Sequence, residues 1–158
     1  MTTFALLCPT RGRAKRAAEF AESAIRTASQ PERLELMFYL DTNDPELSSY
    51  YNGVNAINKR VDKNVKIQII EGPQVGVPHA TNILANSSHS DVMMYSSDDQ
   101  FYIDDGWDLR LDEEVAKYPD NIYCIWFNDG WEAENFCTFP IVSGEWIETL
   151  GYFMFPFF

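Results

Sequence analysis

The sequence predicts an α/β domain in three layers, with a mostly parallel central sheet and helices on both faces. Three observations lead there. Strand and helix signals alternate along the chain. The strand signals are short apolar runs, most of them continuous, as in strands buried on both faces. Most of these runs close on a cluster of Pro, Gly or Asp before the next element begins. With 158 residues, 46% of them apolar and 15% aromatic, the chain suits one domain with its own core.

The elements follow in order. Phe4 to Cys8 is a first apolar strand, which Pro9 is expected to stop. Thr10-Arg11-Gly12-Arg13 is a turn. Ala14 to Ala28 is rich in helix formers, with Ala17, Phe20, Ala21, Ala24 and Ile25 on one face. Ser29-Gln30-Pro31 ends that helix. Leu34 to Leu40 is a second strand, closed by Asp41-Thr42-Asn43-Asp44-Pro45. Glu46 to Arg60 is partly helical. Val65 to Ile70 alternates like a third strand. Gly72-Pro73 and Gly76-Val77-Pro78 precede a helix over His79 to Asn86. Asp91 to Ser96 is a fourth strand, Asp108 to Lys117 a helix, Ile122 to Phe127 a fifth strand and Glu145 to Leu150 a short helix. Asp104-Asp105 is expected to cap the helix that follows Gly106.

Charge narrows the functions. Twelve Lys and Arg against 24 Asp and Glu give a net charge of −12. Such a chain repels polyphosphates, which argues against nucleic-acid and anionic-membrane partners. A phosphate-bearing small molecule remains compatible if a divalent cation sits between it and the carboxylates. No apolar run approaches the roughly 20 residues that span a bilayer. The amino terminus lacks the basic stretch of a signal peptide. Cys8, Cys124 and Cys137 form no Cys-x-x-Cys pair and read as buried thiols in a reducing compartment. The expected location is the cytoplasm.

Ligands of open α/β sheets bind beyond the carboxyl ends of the strands. The residues there are Pro9 to Arg13, Asp41 to Asp44, Gly72 to Asn82 and Ser97 to Gln100. None carries a dinucleotide fingerprint, a phosphate-binding P-loop or a hydrolase nucleophile elbow. His79 and His89 have no partner at metal-ligand spacing. Acid dominates instead. Asp98 and Asp99 are adjacent carboxylates at a strand end, where hard cations such as Mn²⁺ or Mg²⁺ favour oxygen ligands and leave positions for phosphate. Capping a turn is the other use of such a pair. Arg11 and Arg13 add planar guanidinium forks suited to phosphate. Asp41 can accept a hydrogen bond from a base or a ribose, or from its own turn.

These stretches resemble the nucleotide-diphospho-sugar transferases of the GT-A fold, especially family 2 of the glycosyltransferases. The resemblance rests on Leu6 to Arg13, Tyr39 to Asp44, Gly76 to Asn82 and Met94 to Tyr102, and covers roughly Phe4 to Gly151. It implies that Pro9, Thr10 and Arg11 hold the nucleotide and that Asp41 meets the base, commonly uracil. It places Asn82 in the third donor motif. Asp98 and Asp99 match the acidic DxD-type motif, with Asp99 on the metal and Asp98 on ribose or sugar. Thr81 stands where the family often has Arg, so one positive charge near the diphosphate is lost.

The expectation is therefore a glycosyltransferase that uses a nucleotide-diphosphate sugar, a UDP-sugar first, with Mn²⁺ or Mg²⁺. A non-catalytic binding or assembly module and a sugar nucleotidyltransferase are the alternatives. Residues 1–158 read as one donor-binding domain, short of the family's C-terminal acceptor portion. Glu132, Glu134 and Glu145 are the candidates for a general base. Trp131 and Trp146 suit either an acceptor sugar or the core. The apolar stretch Phe153 to Phe158 suits docking on the core or on a second copy.

Overall fold

A computed structural model describes residues 1–61, 65–128, 130, 132 and 135–156. The described elements are β1 (Phe4–Thr10), α1 (Ala14–Thr27), β2 (Leu34–Asp41), α2 (Leu47–Arg60), β3 (Lys66–Gly72), α3 (Val77–Ser87), β4 (Val92–Tyr95), α4 (Trp107–Val115), β5 (Cys124–Ile125), β6 (Ile141–Ser143) and α5 (Gly144–Leu150). A short 3-10 turn at Pro31–Arg33 leads into β2.

The sheet order is β3-β2-β1-β4-β6-β5. β1, β2, β3 and β4 run parallel, whereas β6 is antiparallel to both β4 and β5. From β1 the chain adds strands on one side and then crosses to the other for β4. The carboxyl ends of β1 and β4 therefore flank a topological switch point, where such sheets open a crevice.

Alternation along β1 divides the core. Phe4, Leu6 and Cys8 pack with α1, α2 and α4 on one face. Ala5 and Leu7 pack with α3 and α5 on the other. These are the three expected layers. The face of α1 chosen by its apolar spacing is buried at all five positions, Ala17, Phe20, Ala21, Ala24 and Ile25.

Four local expectations change. Pro9 does not stop β1, which pairs with β2 through Pro9↔Tyr39 and Thr10↔Leu40. The reason lies on the other edge. The Leu7 carbonyl accepts from the Ser96 N–H, and Pro9, two residues on, faces the same side, where the pairing with β4 has ended. Its missing N–H therefore breaks no ladder. The fifth strand shrinks to Cys124–Ile125, and β6 is an additional strand. Asp104 and Asp105 do not cap α4. Gly106 takes that position in the left-handed region at φ 74° with no side-chain cap, and Asp104 pairs with Arg110 instead.

The C-terminal stretch docks on the core of the same chain as far as it is described. Phe153 is buried in the second core face. Asn82 holds its backbone: Oδ1 accepts the N–H groups of Phe153 and Met154, each at 2.9 Å, and Nδ2 donates to the Met154 carbonyl at 2.8 Å.

Candidate functional site

The turn after β1 is the hub of the switch point. Gly12 sits at φ 62°, where a side chain is strained. Its N–H donates to Asp44 Oδ2 at 2.8 Å, and the Ala14 N–H donates to Glu46 Oε2 at 2.8 Å. The Tyr50 hydroxyl accepts from the Arg13 N–H at 2.9 Å. The acids of the β2–α2 connection thus satisfy the open N–H groups at the start of α1.

Side chains from three strand ends meet above this turn. Arg11 Nη1 donates to Asp41 Oδ2 at 2.8 Å and to Asn43 Oδ1 at 2.6 Å, which joins the ends of β1 and β2. The Thr10 hydroxyl donates to Asp98 Oδ2 at 2.5 Å and lies 3.1 Å from the Tyr50 hydroxyl. Arg13 Nη1 reaches Asp98 Oδ1 at 3.1 Å, which joins the ends of β1 and β4. The Asp98 hydrogen bond, then its charge, holds the Arg13 guanidinium more firmly protonated than usual. Beneath them, burial pushes the Cys8 thiol well up, and the charges of Asp98 and Asp99 push it further. Cys8 is thus a neutral floor. Burial also raises Tyr50 and Tyr95.

The two adjacent acids have different surroundings. Asp98 is 4% exposed, and both its oxygens are engaged by Thr10 and Arg13. Asp99 is exposed, and its Oδ1 accepts from the Ser97 hydroxyl. Among the described residues no three His, Cys, Asp or Glu side chains converge as a metal cage. The donor set fits a cation held by Asp99 and completed by phosphate oxygens and water, the habit of Mg²⁺, and does not fit a cation enclosed by protein.

Asp99 also opens onto a cavity of about 800 Å³. Its walls are the segment after β4 with Phe101 and Ile103, helix α4 with Arg110 and Glu114, and Trp126, Phe127 and Phe139 near β5 and β6. The Tyr95 N–H donates to the Pro140 carbonyl at 2.9 Å, so Pro140, at the end of the connection between β5 and β6, lies at the carboxyl end of β4. Glu132 belongs to that connection. Glu134 and Trp131 lie outside the described residues.

Glu145 is a correction. β6 runs antiparallel, with Ser143 opposite Val92 at the start of β4. Glu145 follows Ser143 and is therefore at the far end of the sheet from Asp98 and Asp99, bonded to Asn121. Trp146, beside it on α5, packs against the second core face. Thr81 is fully buried and donates to the Val77 carbonyl at 2.8 Å. His79 and His89 are exposed.

The architecture is a GT-A-like nucleotide-sugar transferase fold, as in the glycosyltransferases it superposes on. One is the mannosyltransferase PcManGT from Pyrobaculum calidifontis in complex with GDP-Man and Mn²⁺, with TM-score 0.71 and 12% identity over 95% of this chain and 47% of that one. A second is residues 1–349 of S. aureus TarS, with TM-score 0.66 and 14% identity over 96% of this chain and 50% of that one. The same protein in complex with UDP-GlcNAc gives TM-score 0.52 and 17% identity over 78% of this chain and 32% of that one. The chain spans half or less of the length of these proteins. No family model and no curated protein matches its sequence. No described helix is long and apolar enough to cross a membrane.

Proposed function

We propose that this chain is the donor-binding domain of a glycosyltransferase that takes a nucleotide-diphosphate sugar, a uridine one, together with Mn²⁺ or Mg²⁺. One observation carries the reading. Two bonded pairs sit at the strand ends, Arg11–Asp41 joining β1 to β2 and Thr10–Asp98 joining β1 to β4, and the exposed carboxylate of Asp99 follows the second. Pro9 and Thr10 supply the backbone edge of the nucleotide site. Asp41 accepts from the uracil N–H, and Arg11 fixes that carboxylate. Asp98 positions Thr10 and Arg13. Asp99 holds the cation, which when bound neutralises charge on the diphosphate leaving group. Arg13 and Arg11 offer the positive charge that Thr81 lacks.

The acceptor hydroxyl needs a base. Glu145 stands too far away, which leaves Glu132 and Glu134 of the connection before β6. The removal of Glu145 from the site favours the second reading, a binding module of the same fold without transfer activity. Slow release of free sugar from a UDP-sugar with Mn²⁺ separates the two, since only an enzyme turns over.

Calorimetry with uridine diphosphate tests the donor site. Wild type should bind with Mn²⁺ and far more weakly without it. Asp99→Asn should abolish the Mn²⁺ dependence at unchanged melting temperature, because an exposed carboxylate is exchanged for an isosteric amide. Equal affinity with and without Mn²⁺, or full Mn²⁺ dependence in Asp99→Asn, would overturn the reading.

A further inference from the structure

We infer that Ser97 is a positioning residue, whose hydroxyl sets the Asp99 carboxylate in the orientation that receives the cation. The inference rests on the donor-site reading above and deepens it. It starts from how differently the two acids are held. Asp98 is buried, with Thr10 on one oxygen and Arg13 on the other. Asp99 stands exposed. Among the described residues, one side chain donates to it: the Ser97 hydroxyl, on Oδ1. Removing that hydroxyl leaves the Asp99 carboxylate to rotate in water.

Ser97 is itself anchored on both sides. The Ser96 N–H donates to the Leu7 carbonyl of β1 at 2.9 Å, which ties the chain to the sheet one residue earlier. The Ser97 N–H donates to Gln100 Oε1 at 2.9 Å, and the Ser97 carbonyl accepts from the Gln100 N–H at 3.1 Å. Gln100 thus closes the turn that contains both acids. Thr10 and Arg13 pin that turn through Asp98. The backbone around Asp99 is therefore set before any ligand arrives. What stays adjustable is the Asp99 side chain, and Ser97 is the group that reaches it.

The chemistry follows from the oxygens. A carboxylate that swings freely loses that freedom on binding a cation, at a cost in affinity. The bond from Ser97 takes part of that loss in advance, and a hydroxyl donating to an ionised carboxylate is among the stronger hydrogen bonds. Oδ1 is engaged, so Oδ2 is the oxygen left for the cation. Hydrogen-bond partners of metal ligands are worth about 10–100-fold in metal affinity. Ser97 belongs at the lower end of that range, because Asp99 is exposed and water replaces a lost hydroxyl in part.

Calorimetry of the whole chain with uridine diphosphate, with and without Mn²⁺, tests this in wild type, Ser97→Ala, Ser97→Thr, Asp99→Asn and the double variant Ser97→Ala with Asp99→Asn. Ser97→Ala should bind the nucleotide about tenfold more weakly than wild type when Mn²⁺ is present. Without Mn²⁺ it should bind as wild type does, and its melting temperature should be unchanged. Ser97→Thr keeps the hydroxyl and should recover most of the loss. In the Asp99→Asn background the Ser97→Ala change should do nothing, since Ser97 acts through Asp99. Four results would overturn the inference. Ser97→Ala binds like wild type with Mn²⁺; it weakens binding equally with and without Mn²⁺, as a disturbed turn does; it weakens Asp99→Asn as much as wild type, as a hydroxyl on the cation itself does; or Ser97→Thr loses as much as Ser97→Ala. Where wild type shows an Mn²⁺ dependence that Asp99→Asn loses, any of these defeats the role of Ser97 alone. A wild type that binds equally with and without Mn²⁺ defeats the donor site, and the role of Ser97 with it.

Discussion

Thr10 and Asp98 are the tie between β1 and β4, and a double-mutant cycle measures it. The Thr10 hydroxyl is 2.5 Å from a carboxylate that is 4% exposed. A hydrogen bond to a charged group contributes about 1.5–3 kcal/mol. The Arg13 contact adds little, because that side chain is 54% exposed and screened by water. Asp98→Ala also relieves the repulsion with Asp99, which offsets part of the loss. The expected cost is about 2 kcal/mol for Asp98→Ala, or a melting temperature about 4–8 °C lower in a chain of this size. Thr10→Val removes the same bond from the other side while keeping the shape. Urea denaturation of wild type, both single variants and the double variant gives the coupling, expected at 1.5 kcal/mol or more, at about the lower end of that range. Additive single effects, or single variants within about 0.5 kcal/mol of wild type, would refute the claim that this bond holds Asp98 in place.

Other expectations follow from buried groups. Asp108 is fully buried and accepts from the Ser29 and Gln30 N–H groups and from Arg33, so Asp108→Ala should cost about 2–4 kcal/mol in urea denaturation, by leaving two N–H groups without their acceptor, while Arg33 keeps Asp112. Burial pushes the Asp108 carboxyl up, but those two N–H groups and Arg33 outweigh it and hold it below its ordinary value. The unfolded chain then takes up a proton first as pH falls. The stabilisation is complete above the ordinary carboxylate range and is lost as pH drops through the folded value, an acid-side loss that Asp108→Asn should reduce in pH-dependent melting curves. Burial raises the thiols of Cys124 and Cys137, the latter to about 11, so alkylation by iodoacetamide at neutral pH should be much slower than for a free thiol, as followed by mass spectrometry.

Much of this was legible in the sequence because local signals and tertiary role coincide. The strand from Leu34 is buried at every position of Leu34–Asp41, as a continuous apolar run closed by an Asx-rich turn demands. Position alone groups Thr10, Arg11, Asp41 and Asp98 at one edge, since parallel strands deliver their carboxyl ends there, and their side chains pair at that edge. Three features were hidden. The direction of β6 cannot be read from three residues, and that direction carries Glu145 to the wrong end of the sheet. The amide of Asn82 meets a backbone 71 and 72 residues away, and nothing near Asn82 signals the return. The cavity gathers Phe101, Arg110 and Trp126 from three segments. The aromatic density between Tyr118 and Phe139 was its one visible sign.

The most direct test of the donor site is a crystal structure of the chain soaked with uridine diphosphate and Mn²⁺. The account expects uracil against Asp41 and Arg11, the diphosphate at the switch point between β1 and β4, and Mn²⁺ bonded to Asp99 and phosphate oxygens. Nucleotide density away from Asp41, or a diphosphate-bound Mn²⁺ that does not touch Asp99, would contradict it.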